Sequence, residues 1–368
     1  MNPNLRCRVA CFTLGASALL FAGCHQPSTA PALAAPLAEP AEMRVVAAEP
    51  VVKQTSAQLD QRNPLDAERA FGYLTQLVKL GPRPSGTVGM ARQQVVVTSQ
   101  FEELGGKVSR QEFVIRHPLT GKQTPCANLI VEWHPERVDR VLVCAHYDTR
   151  PLPDQDPNPH RRRDGMFVGA NDGASGVAVL MELAHHLPHL DPRVGVDFVL
   201  FDAEELVYGN NVYRRQQGEY FLGSKHFARD YRKNRPGYRY HWGVLLDMVG
   251  DAQLEILQEK YSLSWPDTRP LVADLWTIAH RLGVKEFVPR TKRGRDEGYI
   301  RDDHLALRNI ARIPTCNIID AEYPDASFGE PGSYWHTEQD LPRHCSGDSL
   351  AKVGWVVLEW LRTADVRQ

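Results

Sequence analysis

No two of the seven cysteines form a CxxC pair, which argues against a structural zinc knuckle. Charge of one sign is not in excess either. The 43 Lys and Arg nearly balance 45 Asp and Glu, a formal net charge of −2, so nothing marks a nucleic-acid partner. The apolar run near the start, residues 9–22, is too short to span a bilayer. No internal repeat is present. What remains is a chain of 368 residues with 42% hydrophobic content, enough for one large domain or two modest ones.

The first residues read as an address. Arg6 and Arg8 precede the apolar run, which stops at Gly23-Cys24, the pattern of an export signal. Leu20-Phe21-Ala22-Gly23-Cys24 resembles a bacterial lipobox, which implies a lipid-anchored Cys24. Phe21 is unusual in that motif, and plain signal cleavage is the alternative. Either way the expectation is an exported protein of the cell envelope, periplasmic or secreted. An oxidising compartment permits a disulfide among Cys126, Cys144, Cys316 and Cys345. Residues 25–63, with Pro27, Pro31, Pro36, Pro40 and Pro50, read as an extended tether.

From there to the end the signals alternate. Ala70, Phe71, Leu74, Leu77 and Val78 recur at helical spacing, and Gly81-Pro82 stops that helix. A second helix is expected over residues 89–104, then strands near 107–116, 127–133 and 140–146. Residues 141–205 carry the strongest pattern. An apolar strand ends in His146-Tyr147-Asp148, a Gly-rich turn holds Asn171-Asp172-Gly173, and an apolar helix follows. A second apolar strand then ends in Asp202-Ala203-Glu204-Glu205. Further strands are expected at 243–247 and 313–319, and helices around Phe227, at 271–282 and at the C-terminus. The expectation is one α/β domain over residues 64–368, its mostly parallel sheet set between helices. Such sheets place function outside the carboxyl ends of their strands.

Those ends carry the candidate ligands. His146, Asp172, Glu205, Asp247 and His336 each follow an apolar run or sit in an adjoining loop. Imidazole and carboxylate held on rigid elements suit zinc. Asp148, two residues after His146, is placed to orient that imidazole. Glu204 and Glu205 are adjacent, so one ligates and the other serves as general acid/base. Any one loop carboxylate is by itself usually solvated; the coincidence of the set makes the site. The basic stretches Arg161-Arg162-Arg163 and Arg290, Lys292, Arg293, Arg295 read as solvated loops, and Trp265, Trp276, Trp355 and Trp360 as packing.

The ordered series His146-Tyr147-Asp148, Asn171-Asp172, Glu204-Glu205, Asp247-Met248-Val249-Gly250 and His336-Thr337 resembles the zinc aminopeptidase and glutaminyl cyclase superfamily. The resemblance implies a single domain with a mixed, twisted sheet acting on peptide or protein N-termini. It implies zinc on Asp172, Glu205 and His336, with Glu204 as base. In the aminopeptidase branch, His146 and Asp247 would complete a second zinc with Asp172 bridging. Three features are similar to the cyclase branch, which holds one zinc. Residues 206–222 separate Glu205 from Gly223-Ser224, and are expected to fold over the site mouth. Asp302-Asp303-His304 stands where aminopeptidases more often have Ser-Asp-His, and Trp335 precedes His336. The resemblance then gives Asp247 and Asp302 a proton-sharing role beside Glu204, and Trp335 the wall of the substrate pocket. Two features depart from the cyclases: no tryptophan follows the glutamate pair closely, and residues 171–176 look more like an aminopeptidase. Glutaminyl-peptide cyclotransferase and di-zinc aminopeptidase are therefore the two expectations.

Overall fold

The computed structural model describes residues 63–209, 215–289, 298–323, 326–327 and 332–364. The export signal with Cys24, most of the tether and the second basic stretch lie outside the described residues, as do residues 210–214 of the expected cover.

Two helices lead in. In α1 (Ala67–Lys79), Asp66 caps the first turn by accepting the Arg69 amide, and Ala70, Tyr73, Leu74 and Leu77 form the buried stripe. Thr87 caps α2 (Val88–Glu103) in the same way. Strands β1 (Lys107–Arg116), β2 (Gln123–Trp133) and β3 (Asp139–His146) follow. Helix α3 (Ser175–Leu183) is buried at all nine positions and is apolar but for Ser175 and Glu182, the latter paired with Arg69 of α1. Strand β4 (Gly195–Phe201) is buried throughout. Helix α4 (Leu222–Asn234), strand β5 (Arg239–Asp247), helix α5 (Arg269–Leu282), strand β6 (Thr315–Ile319) and helix α6 (Gly347–Thr363) complete the order.

The six strands form one mixed sheet in the order β1-β2-β4-β3-β5-β6. The β1–β2 and β2–β4 pairings are antiparallel; β4–β3, β3–β5 and β5–β6 are parallel. The inner parallel strands read as continuous apolar runs because helices cover both faces. One face packs Leu74, Leu77, Val179, Leu183, Val357 and Leu361 from α1, α3 and α6. The other carries Phe227 and Ala228 of α4 against Val199, Phe201 and Leu245. Trp276, Trp355 and Trp360 are buried packing residues, as expected.

Strands β2 and β3 are not partners, because β4 lies between them. The four described cysteines are free and buried, so no disulfide links Cys126, Cys144, Cys316 and Cys345. They lie on separate elements of a core already close-packed with aliphatic side chains.

Candidate metal centre

Three parallel strands end side by side and deliver the site. Strand β3 ends at His146, β5 ends at Asp247, and β4 runs into Glu204-Glu205 through a turn. Asp172 comes from the loop before α3, and His336 from the loop before α6. Three residues in these segments take left-handed backbone without being glycine: Ala203 (φ 56°), Met248 (φ 49°) and His336 (φ 54°). Such strain collects where the surrounding fold fixes a functional side chain. Gly169 (φ 49°) is needed as glycine, since a Cβ there would sit 2.0 Å from the Asp172 carbonyl oxygen.

The side chains converge. His336 Nε2 lies 2.6 Å from Glu205 Oε1 and 3.3 Å from Asp172 Oδ2. His146 Nε2 lies 3.2 Å from Asp172 Oδ1 and 3.2 Å from Asp247 Oδ1. Asp172 thus turns one oxygen to each imidazole. Two triads result, Asp172–Glu205–His336 and His146–Asp172–Asp247, each with donor atoms within 4.8 Å of one another. A third grouping joins His146 to Glu204 and Glu205. Zinc bonds of 2.0–2.2 Å in a tetrahedron set donors roughly 3.4 Å apart. The 3.2–3.3 Å separations match that edge, and the residue types match zinc's preference, so the donor set fits the ion.

Electrostatics separate the two histidines. Burial, joined by Arg150, holds His336 below its usual value and so neutral. Burial also lowers His146, but Asp148, Asp172 and Asp247 outweigh it and raise His146 well above the usual range. Burial, with Glu205, Asp303 and Asp302 adding to it, raises Glu204 well above the carboxylate range. Burial lifts Glu205 to about 7 against the pull of Arg150.

The expected partners are present, with changed contacts. Asp148 accepts the backbone amides of Glu204 and Glu205, each at 3.0 Å, while its Oδ1 stands 3.8 Å from His146 Nδ1. It therefore fixes the turn of the glutamate pair more directly than it orients the imidazole. Asp302 is buried, and among the described residues its hydrogen bonds go to Asn317 Nδ2 at 2.8 Å and the Asp303 amide at 2.6 Å. The expected hydrogen bonds to Glu204 or Asp247 are replaced by charge coupling, since Asp302 raises both carboxyls. Trp335 is half-buried with its ring stacked on His336, centroids 3.6 Å apart. Behind the triad, Asp340 accepts the amides of Asn171 and Asp172 at 2.7 and 3.0 Å, and burial together with Asp172 pushes it up to about 8. Arg150 and Asp154, both buried, pack against Glu205 and His336. Sequence reasoning missed these three. Their only signal was nearness to a motif, Arg150 two residues past Asp148 and Asp340 four past His336.

Comparison with known proteins identifies the family and the fold. The sequence pattern of Peptidase family M28 matches residues 128–361. The crystal structure of Fimbriiglobus ruber glutaminyl cyclase is similar, with TM-score 0.74 and 40% identity, over 82% of this chain and 96% of that one. A Zn-dependent exopeptidase from Parabacteroides distasonis gives TM-score 0.72 and 31% identity, over 82% and 99%. Aminopeptidase YwaD of Bacillus subtilis is 27% identical over 76% of this chain and 53% of its own length. The chain spans about half the length of the curated relatives it matches.

Proposed function

This chain belongs to peptidase family M28, and we propose that it is a zinc-dependent glutaminyl-peptide cyclotransferase, turning an N-terminal glutamine into pyroglutamate with release of ammonia. The observation that carries this reading is the placement of two buried acids, Glu204 and Asp302, and the partly exposed Asp247 beside the Asp172–Glu205–His336 triad, with Asp302 coupled by charge to both of the others. The likeness to the Fimbriiglobus ruber cyclase, at higher identity than to the exopeptidase, supports it.

Zinc held by Asp172, Glu205 and His336 would supply Lewis-acid chemistry toward the substrate's γ-carboxamide. The chain's own residues do the rest. Glu204 takes a proton from the α-amine as that nitrogen attacks the γ-carbonyl carbon, and gives it to the departing ammonia. One C–N bond forms, one breaks, and no residue is lost from the peptide. Burial, with Glu205, Asp303 and Asp302 crowding negative charge around Glu204, favours the protonated carboxyl between the two transfers. Trp335, stacked on His336, offers an apolar wall for the closing ring.

A second reading rests on one observation: His146, Asp172 and Asp247 form another triad that shares Asp172. With two metals the same residues suit an aminopeptidase. The test is to give the purified protein a Gln-initiated peptide and Leu- and Ala-initiated peptides, counting zinc per chain. Loss of one ammonia without shortening, seen by mass spectrometry, supports the cyclase. Free amino acid from the Leu and Ala peptides, with the Gln peptide uncyclised, moves the protein to the aminopeptidase branch.

A further inference from the structure

Arg150 and Asp154 take no part in the steps above, yet both are buried, at 1% and 4% exposure. The guanidinium grips Asp154 with two parallel bonds, Nε to Oδ1 at 2.9 Å and Nη2 to Oδ2 at 2.7 Å. A buried ion pair is by itself weak evidence for stability, because desolvating two charges offsets most of their attraction. What distinguishes this pair is where its other atoms go. The Arg150 backbone amide donates to Glu205 Oε2 at 3.1 Å, and Nη1 reaches Glu205 Oε1 at 3.4 Å. Asp154 Oδ1 stands 3.6 Å from His336 Nδ1, and the next amide, Gln155, donates to the His336 carbonyl at 3.1 Å. On the outer side the Tyr220 hydroxyl accepts from Nη2 at 3.0 Å, and its ring lies 5.4 Å from the guanidinium carbon.

We propose that the Arg150–Asp154 pair is a positioning clamp that sets two ligands, Glu205 and His336, in one geometry for the metal. The inference rests on the metal reading of the Asp172–Glu205–His336 triad but not on the choice between cyclase and aminopeptidase. With both oxygens engaged, Glu205 cannot rotate away from the triad without breaking a buried contact. Negative charge on the Nδ1 side of His336 favours the tautomer that carries its proton there, leaving the Nε2 lone pair for the metal. One rigid fork therefore couples the carboxylate ligand to the imidazole ligand, and Tyr220 shields that fork from solvent.

The test uses the full chain stripped of metal, with zinc affinity measured by competition against a chromophoric chelator. Asp154→Asn keeps the shape and removes the charge; the double variant Arg150→Gln/Asp154→Asn removes both charges and keeps a mutual hydrogen bond. Each is expected to bind zinc about 10–100-fold more weakly, the usual effect of losing an outer partner of a metal ligand. The visible spectrum of the cobalt(II)-loaded protein should shift in the same variants, reporting changed coordination. Glu182→Gln serves as the structural control, since it breaks the Arg69–Glu182 pair of α1 and α3. It should lower the melting temperature and leave zinc affinity and the cobalt spectrum as in wild type. If Asp154→Asn folds and keeps wild-type zinc affinity and spectrum, the clamp is refuted, whatever the double variant does. Wild-type protein that takes up no zinc overturns the metal reading itself, a result that cannot be confused with the first.

Discussion

Replacing Glu204 by Gln isolates proton transfer from everything else in the site. The substitution is isosteric, and the Glu204 backbone stays fixed, its amide on Asp148 and its carbonyl accepting the Phe221 amide at 3.0 Å. The triad Asp172–Glu205–His336 does not include Glu204, so zinc should remain bound. Loss of a general acid/base costs on the order of 10²–10⁴-fold in turnover. At about 1.4 kcal/mol per decade, that is roughly 3–5 kcal/mol of transition-state stabilisation. The pH behaviour gives a second check. Burial and the neighbouring acids hold this carboxyl well above the ordinary range, and a base must be ionised to accept a proton. In the wild type, kcat/KM should therefore fall with decreasing pH as both Glu204 and the substrate α-amine take up protons, and the Gln variant should keep only the limb of the amine, at about 8. Stability gives a third. A carboxyl raised in the folded state loses stability as pH rises above its unfolded pKa, so the metal-stripped Gln variant should melt higher than wild type near neutrality. The difference should vanish in acid, where both side chains are neutral. Coupled zinc and ammonia-release assays decide the matter. A Gln variant with full turnover refutes the role, and one that loses zinc while Glu205→Gln keeps it reverses the two glutamates.

Three other outcomes are expected. Glu205→Gln and His336→Ala should each strip zinc and abolish activity, read as metal content after dialysis, because each removes a triad ligand. Asp197→Asn should leave Arg140 as a buried cation without its carboxylate, costing about 3–5 kcal/mol in denaturant unfolding while zinc affinity stays unchanged. Cys24→Ser should move the protein from membranes to a soluble exported fraction if Cys24 is acylated, and unchanged membrane association would remove the lipobox reading.

The elements were legible because each inner strand and helix carries its own apolar signature. Strand β4, buried at every position, could hardly read otherwise. The candidate ligands that the structure brings together stood out for the same reason, since a polar residue that ends an apolar run is conspicuous. Strand pairing was not. Whether β2 meets β3 or β4 depends on long-range register, and local alternation does not encode it. The start of β2 was missed because Gln123, Thr124 and Pro125 lack an apolar pattern and are held by pairing with Arg116, Ile115 and Val114. Arg150, Asp154 and Asp340 stayed hidden for a related reason. They sit in loops without period, and although Arg150 and Asp154 are four residues apart, the site residues they and Asp340 contact lie tens of residues away until the chain folds. Asp148 was correctly placed at the site, but its main contact depends on the left-handed turn at Ala203, which no residue type announces there.

The two triads are built unequally, and that bears on metal number. Around the first, Asp340 holds the Asp172 loop by two amides and Arg150 contacts both oxygens of Glu205, so these ligands are set in advance. Both imidazoles leave Nδ1 buried without a hydrogen-bond partner among the described residues, so the difference lies in the carboxylates: the Asp247 side chain of the second triad is 14% exposed, against 4% for Glu205. Ligands already held by outer contacts bind a metal with less ordering cost than ligands that must be fixed on binding. A stepwise zinc titration of the stripped protein should therefore show one equivalent taken up at least tenfold more tightly than any second, the lower end of the effect of outer partners. Glu205→Gln should abolish the tight step, while Asp247→Asn should spare it. That order suits a reaction in which the attacking nitrogen belongs to the substrate, because one metal and the base Glu204 are then sufficient. Two equivalents bound with equal affinity would refute the asymmetry and restore the two-metal aminopeptidase as the better reading.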